Sequence, residues 1–265
     1  MIHELYAPFF AGLAVTVILM GLVFAAGRKI QNYGIVDVAW SWAFALLVLV
    51  YVSLVEGHGD RKWILAGIVC AWSGRLGWHL FRRVTGHHPV EDGRYAQLRI
   101  EWGGRADVKM FWFYQLQGVV LLGLSIPFLL VARNPAPGLA LIEWIGAGLA
   151  LLALAGEALA DHQLNRFKAD PANRGRTCRE GLWSCSRHPN YFFEWLVWVG
   201  FFVMALGSPG GVFTIGSPAL ILYFLLTKTG IPATEEQALR TKGDDYRDYQ
   251  RTTSAFVPWF NRKAL

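Results

Sequence analysis

Apolar residues run along this chain in seven blocks, at roughly 9–27, 34–54, 63–81, 110–132, 138–160, 191–207 and 212–230. Most are near the length that crosses a bilayer core of about 30 Å, which takes about 20 helical residues. The blocks are continuous rather than alternating, and rich in Leu, Ala and Gly, so they predict helices and not the strands of a β-barrel. No repeat of fixed period and no low-complexity tract interrupts them. The expected fold class is all-α: a polytopic membrane protein in which residues 1–265 form one seven-helix domain. The first block reads as a retained span rather than a cleaved leader, because Arg28 and Lys29 follow it and no basic stretch precedes it.

Composition agrees. The chain is 54% hydrophobic and only 17% charged, against about 25% charged in an ordinary soluble domain. That excludes a disordered chain, and recurrence of the blocks excludes a single anchor. The twelve Trp and nine Tyr suit interfacial belts. Lys and Arg number two in 28–33, six in 82–109, six in 161–190 and seven in 228–265, while the alternate connections hold only Arg61, Lys62 and Arg133. By the positive-inside rule this predicts an outside N-terminus and a cytoplasmic C-terminus, with cytoplasmic loops 82–109 and 161–190 and a cytoplasmic tail 231–265. The net charge of +6 is then topological, and the expected surroundings are a lipid bilayer, with no nucleic acid and no obligate protein partner. Short loops favour a bacterial inner membrane. Cys70, Cys178 and Cys185 are too few and too irregular for a disulfide framework. With His188 they make a poor zinc set, so no metal is expected.

Ionisable groups within spans are costly and mark function. Asp37 lies in the second block and Arg75 in the third, within Trp72-Ser-Gly-Arg75; Gln115 and Gln117 lie in the fourth. A carboxyl buried without a partner stays protonated and donates a hydrogen bond to a carbonyl, which is the role expected of Asp37. A second constellation is Asp161-His-Gln-Leu-Asn165-Arg-Phe-Lys168, whose Asp161, Asn165 and Lys168 share one helical face. After it come Arg174, Arg176 and Arg179, then Gly181-Leu-Trp183, then Arg187-His-Pro-Asn-Tyr191 and Glu194. Arginines gathered near a helix start suit phosphate recognition. Asn190 and Glu194, one turn apart, suit a ribose or an amide. No GxGxxG follows a strand, which excludes the soluble dinucleotide-binding mode. A third segment, Glu91-Asp-Gly-Arg94-Tyr95, reads either as a polar turn or as the source of a Tyr or Arg at the membrane face.

From Asp161 onward the chain resembles the steroid 5α-reductase family and its bacterial relatives. The resemblance rests on Asp161 with Lys168, on Arg176, on Gly181-Leu-Trp183, on Asn190 with Glu194, and on Asp248-Tyr-Gln-Arg251 followed by Ala255-Phe-Val-Pro258-Trp259. The Arg187-His-Pro-Asn-Tyr191 segment is also similar to that of sterol reductases. The resemblance implies a seven-helix bundle that binds NADPH from the cytoplasmic side and reduces the double bond of a 3-oxo-Δ4 steroid or similar lipophilic enone. It implies cofactor contacts for Asp161, Lys168, Arg176, Asn190 and Glu194, flanked by His188 and Tyr191, with Arg75 reaching a phosphate; Asn165, Arg179 and Arg94 join the expected cofactor set by their place in the polar segments. The family sets a second-span glutamate and a third-span tyrosine at the substrate carbonyl. Asp37 corresponds to the glutamate; the third block has no tyrosine, Trp72 stands there, and Tyr95 or Tyr33 is the substitute. The expected catalytic pair is Asp37 with Tyr95, and the expected substrate contacts are Trp40, Trp72 and Gln115.

One rival is a membrane methyltransferase of the isoprenylcysteine type. Such enzymes share an Arg-His-Pro-x-Tyr segment and a later acidic pair, here Glu235-Glu236, but bind S-adenosylmethionine, a cation without phosphate. The basic residues at 168, 176 and 179 favour a phosphorylated cofactor. A transporter is a second rival, but the inverted repeats common in transporters are not seen.

Overall fold

The structure is a computed structural model and describes residues 3–87, 89–228 and 230–259. Among them it is helical, without strands: α1 (His3–Lys29), α2 (Ile35–Leu54), α3 (Gly59–His87), α4 (Gly93–Trp102), α5 (Ala106–Leu124), α6 (Ile126–Ala132), α7 (Leu141–Ala169), α8 (Pro189–Ala205), α9 (Gly216–Thr227), α10 (Ile231–Lys242) and α11 (Asp244–Thr252). Six stretches are long and apolar enough to cross a membrane: Tyr6–Lys29, Ile35–Leu54, Gly59–Gly86, Gly93–Ala132, Leu141–Ala169 and Gly211–Lys242. The chain is thus an integral, multi-pass membrane protein. The expected span at 191–207 folds as α8, whose 17 residues reach about 26 Å at a rise of about 1.5 Å each, short of the bilayer core. Nor are the two expected loops simple connectors. Most of 82–109 is helical, as the end of α3, α4 and the start of α5, and α7 runs on to Ala169.

The chain forms two compact units, Met1–Ala140 with Ala205–Gly211, and Leu141–Met204 with Val212–Leu265. In the first, the buried core includes Val36, Phe44, Leu47, Val48, Val69, Trp72, Leu121 and Phe128. Helices approach closely where a glycine faces a ring or a chain: Gly12 meets Tyr51, Gly118 meets Met20, and Gly77 meets the Trp42 indole. Several polar groups in the core are paired. Tyr51 Oη and Ser125 Oγ lie 2.8 Å apart, and Ser73 Oγ donates to Ser41 O at 2.6 Å. Arg61, 1% exposed, donates to the carbonyls of Asn134, at 2.9 Å, Ala136, at 2.6 Å, and Gly138. It is therefore tied down at the 134–138 turn, where the sequence placed it only as a loop cation.

In the second unit α7 and α8 meet through small residues, as in many membrane helix pairs. Gly146 lies against the backbone of Gly200 and Met204, and Gly200 against Ala150. The Gly181-Leu-Trp183 motif is a 3-10 turn docked on α7: Leu182 N donates to Gln163 Oε1 at 2.9 Å and Trp183 Nε1 to Ala160 O at 2.9 Å. Gly181 has φ +56°, and a Cβ there would strike the Gln163 side chain, so glycine serves the turn twice. The segment after α11 lies along residues 185–187. Arg187 N donates to Ser254 O at 2.8 Å and Trp259 N to Cys185 O at 2.9 Å. Ser186 Oγ donates to Phe256 O at 2.8 Å, and the Phe256 ring packs on Phe192 and Trp195. The sequence features at the two ends of this unit thus fold onto each other.

A Cβ at position 200 would come within 2.7 Å of Ala150 N. Gly200→Leu is expected to cost about 1–3 kcal/mol of stability by overpacking, read as a lowered thermal midpoint in detergent; an unchanged midpoint would disprove this contact.

Candidate functional site

The turn between α1 and α2 builds the first site. Asn32 Oδ1 accepts from Gly34 N at 3.0 Å, and Glu91 Oε1 accepts from Tyr33 N at 2.6 Å. This fixes the start of α2 and sets Asp37 in its first turn, where the helix dipole favours a carboxylate. Asp92 caps α4, accepting from Arg94 N at 3.0 Å, and the first turn of α4 then directs Arg94 and Tyr95 toward Asp37. Tyr95 Oη donates to Asp37 Oδ1 at 2.6 Å, and Arg94 Nη2 donates to Oδ2 at 2.6 Å. Arg83 Nη2 approaches the same oxygen at 3.3 Å. The Asp37 side chain is 16% exposed and Tyr95 is buried.

The expectation of an unpartnered, hydrogen-donating Asp37 therefore does not hold. Facing two guanidinium groups and a phenol, its carboxylate is an acceptor, and the O–H in the cluster belongs to Tyr95. Glu91-Asp-Gly-Arg94-Tyr95 is a helix start rather than a plain turn. Tyr33 donates instead to Asp107, at 2.7 Å. Burial first, then the hydrogen bond and charge of Asp107, push Tyr33 up to about 12, so it keeps its proton. Around this cluster, Trp40 packs edge-on against Phe44, which in turn contacts Trp72, with centroids 4.8 and 5.3 Å apart. Gln115 is half-buried on α5, and its Nε2 is shielded, without a hydrogen-bond partner among the described residues. Arg75 is half-buried on α3, with Nε and Nη2 screened from solvent. Arg83 and Asp92 were not singled out in the sequence; only the N-cap pattern of an Asp before a helical stretch gave a signal.

The second unit separates the expected cofactor residues. Asn190 Nδ2 donates to Asp161 Oδ1 at 3.3 Å, and Glu194 accepts from Trp198 Nε1 at 3.0 Å. Asn165 is exposed one turn beyond Asp161. Lys168 and Arg176 line a cleft of about 420 Å³. Arg179 does not: it pairs with Asp248 at 2.9 Å and Asp245 at 3.0 Å. Burial pushes Asp245 up, but hydrogen bonds from Thr177 and the charges of Arg179 and Lys242 together outweigh it and hold the carboxyl below the ordinary range. His188 Nε2 lies 3.2 Å from Glu235 Oε1, stacks on Tyr191, and is almost wholly buried. Tyr191 Oη meets Thr234 Oγ1 at 3.0 Å. Arg187, absent from the expected set, is the hub. It donates to Glu235 at 2.7 Å, to Gln250 O at 3.0 Å and to Thr253 O at 2.7 Å. Gln250 completes the ring on Glu235 Oε2 at 2.7 Å. Among the described residues no group of His, Cys, Asp and Glu is placed to hold a metal.

Fold and site define a polytopic helical membrane protein with a Tyr–Asp–Arg cluster, in which Tyr95 is buried and Arg94 exposed, and a basic cleft. Residues 23–253 match the family described as protein of unknown function (DUF1295), and the chain belongs to that family. It is also 25% identical, over 283 aligned positions covering 95% of this chain and 80% of the other, to an uncharacterized protein of Schizosaccharomyces pombe. No solved structure matches.

Asp92 gives a pH prediction. Burial raises its carboxyl, but hydrogen bonds and charge from Arg94, with Arg83, outweigh that and hold it below its usual value. A depressed carboxyl stabilises the fold above its unfolded value of about 3.9 and loses that stabilisation as the pH falls through the folded value. Asp92→Ala should remove this acid-limb dependence and cost about 1 kcal/mol at neutral pH; unfolding followed against pH in detergent checks both.

Proposed function

We propose that this protein is an NADPH-dependent reductase, embedded in the bilayer, that saturates the C=C bond of a 3-oxo-Δ4 steroid or similar lipophilic enone. The observation that carries this reading is the Tyr95–Asp37 hydrogen bond backed by Arg94. It supplies the acid–tyrosine pair that the resemblance calls for, with the tyrosine drawn from α4 instead of the third span. NADPH, when bound, supplies the hydride for the β carbon, and a proton from water completes the α carbon. The protein's part is to stabilise the charge growing on the carbonyl oxygen. Tyr95 has one proton to donate. Its O–H turns about the C–O bond from Asp37 to the carbonyl, and Arg94 and Arg83 keep the Asp37 carboxylate compensated once that donor has left. Trp40, half-buried one turn along α2 from Asp37, supplies an apolar surface for the substrate body, with Phe44 and Trp72 packed behind it in the core. For the cofactor, the cations of the second unit's cleft, which form no ion pair among the described residues, and the Asp161–Asn190 pair fit a phosphorylated ribose.

An S-adenosylmethionine-dependent methyltransferase is the second reading. It is favoured by the meeting of Arg187 and His188 with Glu235, the residues its sequence pattern pairs. Against it, all these groups are already satisfied by one another.

In reconstituted protein, Tyr95→Phe and Asp37→Asn should each lower turnover of a 3-oxo-Δ4 steroid by about 10²-fold or more, with NADPH affinity nearly unchanged. Loss of NADPH binding in both variants would remove the assigned role. Thermal stabilisation by S-adenosylmethionine, with NADPH silent and no pyridine-nucleotide consumption over a panel of enones, would replace the first reading with the second.

We also infer that α8 crosses as a short seventh span, which puts the N-terminus outside and the C-terminus in the cytoplasm of a bacterial inner membrane. Single cysteines introduced near each end should label from opposite sides of intact cells; labelling from one side restores an even number of crossings.

A further inference from the structure

The cleft of about 420 Å³ in the second unit is formed by the end of α7, the segment through residues 171–176 and the last residue of α10. Four cations line it: Lys168, Arg174, Arg176 and Lys242. Nearby arginines are neutralised, Arg179 by Asp245 and Asp248, Arg240 by Glu236, Arg247 by Asp244. Among the described residues none of the four lining cations forms an ion pair. The acid in the lining, Asp170, turns an oxygen to Ala172 N at 2.9 Å as a cap. Asp245, whose charge Lys242 feels, is taken up by Thr177 N and Arg179. Lys168 and Lys242 repel each other. Four cations against one carboxylate leave this hollow positive, which is unfavourable until an anion arrives. A phosphomonoester, with nearly two negative charges and three acceptor oxygens, matches such a set better than a single carboxylate does.

We propose that this cleft binds a phosphomonoester dianion, and that Lys242 and Arg174 are binding residues alongside Lys168 and Arg176. Resting on the reductase reading, the group is the 2′-phosphate of NADPH, the one feature absent from NADH. The same chemistry is carried by the headgroup of phosphatidic acid. Lys242 carries the inference because it lines the cleft from a distant part of the sequence, whereas Arg179 is held away by Asp245 and Asp248.

The test uses the full chain in phosphatidylcholine nanodiscs, with NADPH and NADH titrated against tryptophan fluorescence. Lys242→Gln should weaken NADPH about tenfold, the loss of one charge-assisted contact, and leave NADH unchanged, while Lys242→Arg restores most of the difference. A lysine that merely steadies the end of α10 would change the melting point of the free protein and not the preference between the two nucleotides. Arg174→Gln, on an exposed loop, is read in the same way and serves if Lys242→Gln does not fold. Equal weakening of both nucleotides, or none, overturns the proposal; with enone reduction intact, the reductase reading survives that failure. If neither nucleotide binds, but phosphatidic acid in the nanodisc raises the melting point and Lys242→Gln abolishes the rise, the phosphomonoester site stands and the cofactor reading falls. No response to either ligand overturns both.

Discussion

A charge held at the edge of a bilayer needs its counter-charge close by, and that constraint organises both units. Asp37 accepts from Tyr95 and two arginines. Arg61 is wrapped in three carbonyls, and Arg187 is shared among Glu235 and two carbonyls. In each case the partners come from distant parts of the chain, so satisfying one group fixes several segments at once. Exposed ion pairs add little to stability; these shielded ones act by leaving no alternative arrangement in which the same groups are satisfied.

Against that background the unpaired basic cleft stands apart. The first unit gathers a hydrogen-bond donor beside aromatic side chains, suited to an oily substrate with one carbonyl. The second gathers cations around a hollow open to water, suited to a phosphorylated, water-soluble ligand. On the proposed reading the first serves the oily enone and the second the phosphorylated cofactor.

The apolar blocks were plain in the sequence because a bilayer imposes one length on every crossing helix. α8 was the exception, since its polar start at Pro189 and its end at Ala205 leave it a few residues short. Helix α4 was hidden in a polar stretch with few apolar residues to mark a period; its one sign was Asp92 ahead of a run of helix formers. The site was legible by residue type, but not by partner. Asp37 and Tyr95 were named as a pair, yet their direction of hydrogen bonding depended on Arg83 and Arg94. Similarly, Arg179 and Lys242 look equally free in the sequence. Only the fold brings Asp245 and Asp248 to one and leaves the other among cations.

The strap beyond α11 has a consequence for biogenesis. Arg187 leans on carbonyls of Gln250 and Thr253, and residues 185–187 are laced to 254–259. On the ribosome, Arg187 is made before those residues exist. A nascent second unit must therefore wait with an unsheltered guanidinium, and it locks only when the strap emerges and closes over it.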